Sequence, residues 1–224
     1  MKKNFVIFFL SFINIFAIFS QDINSSTKKL DYIFNFGPSI IINTDSSSSS
    51  APSPIVFPFS FGVDIRFTKI ISLQPTLGLF FSYYLWTDEK AAPAEIENRT
   101  ATVASFFVNI PVEFSFALKK NDSHSFQAGI GPSALLRFAF LANNVNSSDF
   151  GSSGSAQSDV ENINNWFWQN ANFLYLRANF SYLFKLSQKS KVGLEASFYL
   201  PIGSIITEKN INSAIVSTAV TFRF

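Results

Sequence analysis

An eight-stranded antiparallel transmembrane β-barrel, all-β, is the fold class that three features of this sequence predict. Residues 57–67 read FPFSFGVDIRF. Phe57, Phe59, Phe61, Val63, Ile65 and Phe67 share one face, and Pro58, Ser60, Gly62, Asp64 and Arg66 share the other. A period of two is a strand signal, because successive strand side chains point to opposite faces. The pattern recurs about eight times, with one face greasy and the other small or polar. Composition is the second feature: 29 phenylalanines against only 14% charged residues is hard to keep in water with the aromatics outside. The third is length. Beyond the N-terminus no apolar run reaches the roughly 18–20 residues of a spanning helix, whereas strands of about 9–11 residues cross a bilayer.

The strands are expected at about 31–43, 57–67, 73–86, 103–118, 125–142, 166–185, 191–203 and 214–224. The first carries FNFGPS at 34–39, and the second is the alternating segment above. The third turns Phe80 and Tyr84 inward and ends near Tyr83 and Trp86. In the fourth, Phe106, Val108, Ile110, Val112, Phe114, Phe116 and Leu118 make the lipid face. In the fifth it is Phe126, Ile130, Leu136, Phe138 and Phe140. The sixth places Phe173, Tyr175 and Arg177 inward. The seventh faces lipid with Val192, Leu194, Ala196, Phe198, Leu200 and Ile202, and the eighth with Val216, Val220, Phe222 and Phe224.

Three domains are expected: a secretory signal peptide at 1–20, a short N-terminal segment at 21–30 and the barrel at 31–224. Lys2 and Lys3 precede a mostly apolar run from Phe5 to Phe19, and Ser20 suits cleavage. The chain has no cysteine, which excludes a lipoprotein anchor, disulfides and cysteine metal sites. From Gln21 onward 15 basic residues (17 less Lys2 and Lys3) balance 15 acidic ones, so nothing suggests nucleic acid. Connections alternate in length. The short ones lie near 68–72, 119–124 and 186–190, and the long ones at 44–56, 87–102, 143–165 and 204–213. The long loops are acidic and rich in Ser and Gly, and are expected to be flexible. The short turns are lysine-rich, which suits anionic phospholipid heads.

Alternation turns Asp64, Arg66, Glu113, Arg137, Arg177, Glu195 and Arg223 into the lumen. Opposite charges in so narrow a space must pair. They read as a salt-bridge plug filling the lumen; the alternatives are a gate in a narrow ion path and an acid/base pair. Phe80, Tyr84, Phe107, Phe173, Tyr175 and Tyr199 also point inward, toward the other end. They read as interior filling or as an apolar pocket open to the outside for a small hydrophobic molecule. Tyr83, Trp86, Trp166 and Trp168 read as an outer aromatic girdle, with a loop ligand patch as the alternative for Trp166 and Trp168. The single histidine, His124, sits in a short turn beside Ser123 and Ser125, and sequence neighbours are not a triad. No metal set or phosphate-cradling loop appears, and no cofactor is expected.

The last strand, IVSTAVTFRF, alternates Val220, Phe222 and Phe224 toward a terminal aromatic. Together with the leader, the alternation and the long/short loops, it resembles the small eight-stranded outer-membrane β-barrel proteins, the OmpA/OmpX/OmpW-like porin superfamily. The resemblance covers nearly the whole mature chain, though a glycine often found in the terminal signal is absent. It implies outer-membrane localisation and short turns on the periplasmic side. It also implies lipid and the barrel-assembly machinery as partners, the latter reading Val220, Phe222 and Phe224. Glycine-bearing FNFGPS and AGIGPS (128–133) look like places where the wall bends. The expected function is a non-enzymatic, monomeric surface anchor whose loops meet host or environmental partners. The alternative is a narrow pore or a channel for small hydrophobic molecules.

Overall fold

The computed structural model describes residues 30–42, 54–87, 89–117, 123–141, 153–208 and 213–224. The expected leader at 1–20 and the segment after it, up to residue 29, lie outside these. Eight strands follow in chain order. β1 is Leu30–Phe36 continued by Ser39–Ile42, and β2 is Ile55–Val56 continued by Phe59–Arg66. β3 is Ile71–Leu73 and Thr76–Thr87, and β4 is Ala101–Asn109 and Val112–Ala117. β5 is His124–Leu141, β6 Leu174–Lys185, β7 Lys191–Leu200 and β8 Ala214–Arg223. Each pairs antiparallel with the next. β8 then pairs back onto β1, with Ile33 opposite Arg223 and Phe36 opposite Val220, so the pairing returns to its start.

The breaks in β1 to β4 share a cause. Pro38, Pro58, Pro75 and Pro111 sit in them, and proline has no N–H to give the ladder. Their carbonyls still accept from neighbouring strands: Pro38 from Thr218, Pro58 from Gly37, Pro75 from Val63 and Pro111 from Gln74, at 2.9–3.4 Å. The two glycine segments behave differently. Gly37 lies at the break in β1, whereas Gly131 lies within unbroken β5.

Side chains alternate as a lipid-facing wall requires. Tyr32, Phe34 and Phe36 of β1 are exposed while Asp31, Ile33 and Asn35 are buried. Phe59 and Phe61, Phe114 and Phe116, Phe180 and Phe184, and Phe222 and Phe224 are likewise exposed. So large an apolar surface is foreign to a soluble monomer and ordinary for one in lipid. No described helix is long and apolar enough to cross a membrane.

The long-loop end departs from expectation. Residues 166–173 were expected in the sixth strand, but β6 starts only at Leu174, opposite Ala134. Upstream, Ala156–Trp168 forms a helix, α1, followed by a single turn of 3-10 helix at Gln169–Ala171. The local sequence explains it. Ser155 caps the helix by accepting from the Ser158 N–H at 3.1 Å, Asp159 sits in the first turn, and no Gly or Pro interrupts. Ala156, Val160, Ile163 and Phe167 fall on one face at helical spacing and are buried. Part of the long loop expected to be flexible is thus structured; residues 143–152 lie outside the described set. The seventh strand also ends early. Pro201 cannot extend the ladder, and Ile202–Glu208 forms a short helix, α2, so Ile202 leaves the lipid-facing row.

β5 runs past the start of β6. Asn164 of α1 covers that free stretch: its side chain accepts from the Ala139 N–H at 2.9 Å and donates to the Ala139 carbonyl at 3.0 Å. Asn164→Ala is expected to weaken the docking of α1 by about 1–3 kcal/mol. A nitroxide at Gln157→Cys, unique because the chain has no cysteine, should become mobile while the barrel keeps its heat-modifiable gel migration. An unchanged spectrum would mean that something else holds the helix.

Candidate functional site: the lumen

The lumen is built in three layers. At the short-turn end lies a polar belt. Arg66 pairs with Asp31 at 2.5 Å and with Asp64 at 3.4 Å. Arg223 faces Asp64 at 3.5 Å, an ion pair rather than a hydrogen bond, and donates to Gln74 at 3.3 Å. Gln74 donates to Gln127 at 3.2 Å, and Gln127 to Ser115 at 2.9 Å. This one chain of contacts crosses the lumen from β1 and β2 through β8 to β3, β5 and β4. A second group joins β6 to β7: Arg177 pairs with Glu195 at 2.5 Å, and Ser197 bridges both at 3.1 Å. A third joins β6 to β4, where Asn179 donates to Glu113 at 2.7 Å. Gly129 makes room for it, since a Cβ there would lie 2.3 Å from the Glu113 carboxylate.

Above the belt is an apolar layer of Ile41, Val56, Phe80, Phe107, Leu135, Tyr175, Tyr199 and Ile215. Phe107 stacks on Tyr199 with centroids 4.7 Å apart and tilts against Phe80 at 5.3 Å. Between belt and layer is a cavity of about 30 Å³, walled by Arg177 and Glu195 on the belt side and Phe107 and Tyr199 on the other. It has room for ordered water.

The third layer closes the long-loop end. Val160, Ile163 and Phe167 of α1 pack on Tyr84, Ala91, Ala101, Val103 and Ala139, with Trp86, Trp166 and Trp168 around them. Phe167 meets Tyr84 edge-on at 5.0 Å. Arg137 lies here, apart from the other charges. It donates to the Asn172 carbonyl at 3.3 Å, and its guanidinium lies 4.1 Å from the Phe167 ring and 5.8 Å from that of Trp166.

The structure turns all seven expected lumenal charges inward. Asp64, Glu113, Arg137, Arg177, Glu195 and Arg223 are buried and Arg66 is half-buried, and all but Arg137 lie in the belt region. Phe80, Tyr84, Phe107, Tyr175 and Tyr199 are buried inside, but where an open pocket was one reading, α1 fills the mouth. Phe173 is not on a strand. It precedes β6, packs on Trp168 at 5.7 Å and accepts from the Leu135 N–H. Trp166 and Trp168 sit on α1 rather than at a strand end, because their segment is helical. Trp168 reaches the lipid-side Phe138 at 5.5 Å, while Tyr83 lies under the Arg99 guanidinium at 4.9 Å. Trp86 packs on the capping cluster. Val220, Phe222 and Phe224 are exposed on the outer face.

Sequence reasoning missed Asp31, Gln74, Gln127, Asn172 and Asn179. Parity alone would have found Asp31 and Asn179, which share a face with Ile33 and Arg177. His124 faces outward; its Nδ1 lies 2.6 Å from the Tyr182 hydroxyl, and its ring stacks on that of Tyr182. Its hydrogen-bond partner is thus a phenol on the lipid side, neither a serine nor a carboxylate.

No family model and no curated protein matches the chain in sequence. Solved structures do match in shape. Neisserial surface protein A aligns over 88% of this chain and 98% of its own at 6% identity, with a TM-score of 0.54. Ail, the attachment invasion locus protein of Yersinia pestis, aligns over 87% and 97% at 6% identity and 0.44. The outer-membrane enzyme PagL aligns over 87% and 98% at 14% identity and 0.39. The first of these carries the likeness: the chain has the fold of the small outer-membrane β-barrels. A fold so widely shared leaves activity to be argued from the site.

Arg177→Ala leaves Glu195 buried without its partner and is expected to cost about 3–5 kcal/mol. Urea unfolding of the refolded barrel in vesicles measures this. A loss below about 1 kcal/mol would show that the belt is not what holds the wall.

Proposed function

We propose that the protein is an integral outer-membrane barrel with a shut lumen, a non-enzymatic anchor that acts through the surface its long loops display. The observation that carries this reading is the filling of the lumen, among the described residues, in three successive layers. The ionic belt, the stacked Phe80, Phe107 and Tyr199, and the cap of α1 lie in series, with a cavity of about 30 Å³ between the first two. An ion path needs polar lining and continuous space; the apolar layer offers neither.

The displayed surface includes the polar face of α1, with Gln157, Glu161 and Asn165, and the exposed turn carrying Glu95, Glu97 and Asn98. These are the side chains that a host or environmental partner would meet. Two features speak against catalysis. Among the described residues His124 meets a phenol and not a nucleophile with a carboxylate, and the buried acids of the belt are already engaged by Arg or Asn.

Planar-bilayer recording tests the closed lumen. The wild-type barrel is expected to insert without conductance steps. A variant with 153–171 replaced by a short Gly/Ser linker is expected to stay silent too, because the belt and aromatic layer remain. Reproducible steps from the wild type would favour the pore, and steps only from the deletion would make α1 the seal.

A further inference from the structure

We propose that the capped mouth of the lumen is a binding site for an anionic amphiphile, a straight alkyl chain bearing a carboxylate, which α1 occupies as an internal stand-in. This goes beyond the closed-anchor reading, since the belt beneath stays shut and the ligand is held rather than passed.

Arg137 is the first reason. It is only 2% exposed, yet no carboxylate pairs with it among the described residues, whereas Arg66, Arg177 and Arg223 each face one. A guanidinium buried without a counter-ion is costly, and such a group in a concave site is a candidate for binding. Its present contacts are one neutral carbonyl at 3.3 Å and two aromatic faces, and its Nε has no hydrogen-bond partner. A carboxylate would offer it two parallel charge-assisted bonds, stronger than the one it has.

The slot beside it is apolar: Tyr84, Val103 and Ala139 form its wall, and Ile163 and Phe167 of α1 fill it. Phe167 is the stand-in, lying under the guanidinium and edge-on to Tyr84. An alkyl chain in its place would cover the same surface.

The helix is also held in a way that lets it yield. Asn170 and Ala171, just after α1, are both left-handed, with φ of 51° and 55°. A left-handed alanine costs of order 1–2 kcal/mol and persists only where its surroundings impose it. Asn172 anchors the chain just after it. Its side chain donates to the Trp166 carbonyl and accepts from Ser204, both at 3.1 Å, and its own carbonyl takes Arg137. An incoming carboxylate competes for that guanidinium, so ligand and helix docking are coupled through one atom pair.

All three tryptophans of the chain, Trp86, Trp166 and Trp168, surround this mouth, so intrinsic fluorescence reports on it. The test titrates the whole refolded chain in nanodiscs with dodecanoate, dodecanol and dodecyltrimethylammonium at a pH where the carboxylate is ionised. In the wild type, dodecanoate is expected to give a saturable change at about tenfold or more lower concentration than the alcohol or the cation. Arg137→Gln should bring dodecanoate to the level of the alcohol. A nitroxide at Gln157→Cys should gain mobility with dodecanoate alone. Equal responses to carboxylate and alcohol in the wild type would overturn the anion site, whether or not the variant folds. Binding with an immobile label would overturn the displacement of α1. Neither result bears on conductance, which the closed-anchor reading answers for.

Discussion

Charges enclosed in a narrow space must find partners inside it, and this constraint orders the rest of the molecule. Eight strands leave an interior that side chains can fill. Once the outer face is given to phenylalanine, the only place for Asp64, Glu113, Arg177, Glu195 and Arg223 is that interior, where an unpaired charge is costly. The belt is therefore both a consequence of the lipid-facing pattern and a brace. Its largest connected group runs from Asp31 to Ser115 and engages β1, β2, β8, β3, β5 and β4, while Arg177–Glu195 and Asn179–Glu113 tie β6 to β7 and to β4. Several of its buried atoms, among them Asp64 Oδ1 and Glu113 Oε2, have no protein hydrogen-bond partner.

The two ends of the lumen solve the same filling problem by different means. Near the short turns, ions and amides interlock. Near the long loops the wall is uneven, because β6 and β7 stop short of the height that β3, β4 and β5 reach, and a helix takes up the space. Pro201 ends one strand there, and the Ser155 cap starts the helix that replaces another. Arg137 belongs chemically with the belt but lies among aromatic rings at this second end. That misplacement is what makes the mouth more than an inert stopper.

Strand number, lipid face and lumenal charges were legible in the sequence because a period of two survives any error of register at the ends. Asp64 and Arg66 alternate with Phe61, Val63 and Ile65 wherever the strand begins. The helix was not legible for a related reason. Its apolar face, Val160, Ile163 and Phe167, is brief and follows a Ser/Gly-rich stretch, and Trp166 and Trp168 mimic strand alternation running into Phe173 and Tyr175. The aromatic lining was read residue by residue, but whether it surrounds a void depends on Phe167, which comes from an element the pattern concealed. Parity places Gln74 and Gln127 inward as well, but that they meet was beyond reach, since their meeting depends on shear across strands.

Paired charges across the lumen hold the wall together. A double-mutant cycle on Asp64→Asn and Arg223→Gln, measured by urea unfolding in vesicles, tests this most directly. Asp64→Asn leaves buried Arg223 with only the neutral Gln74 and is expected to cost about 3–5 kcal/mol, Arg223→Gln leaves Asp64 with Arg66 and costs less, and the double change clearly less than their sum. Small costs that simply add would contradict the account, and would leave the lipid-facing aromatics as the main support of the barrel.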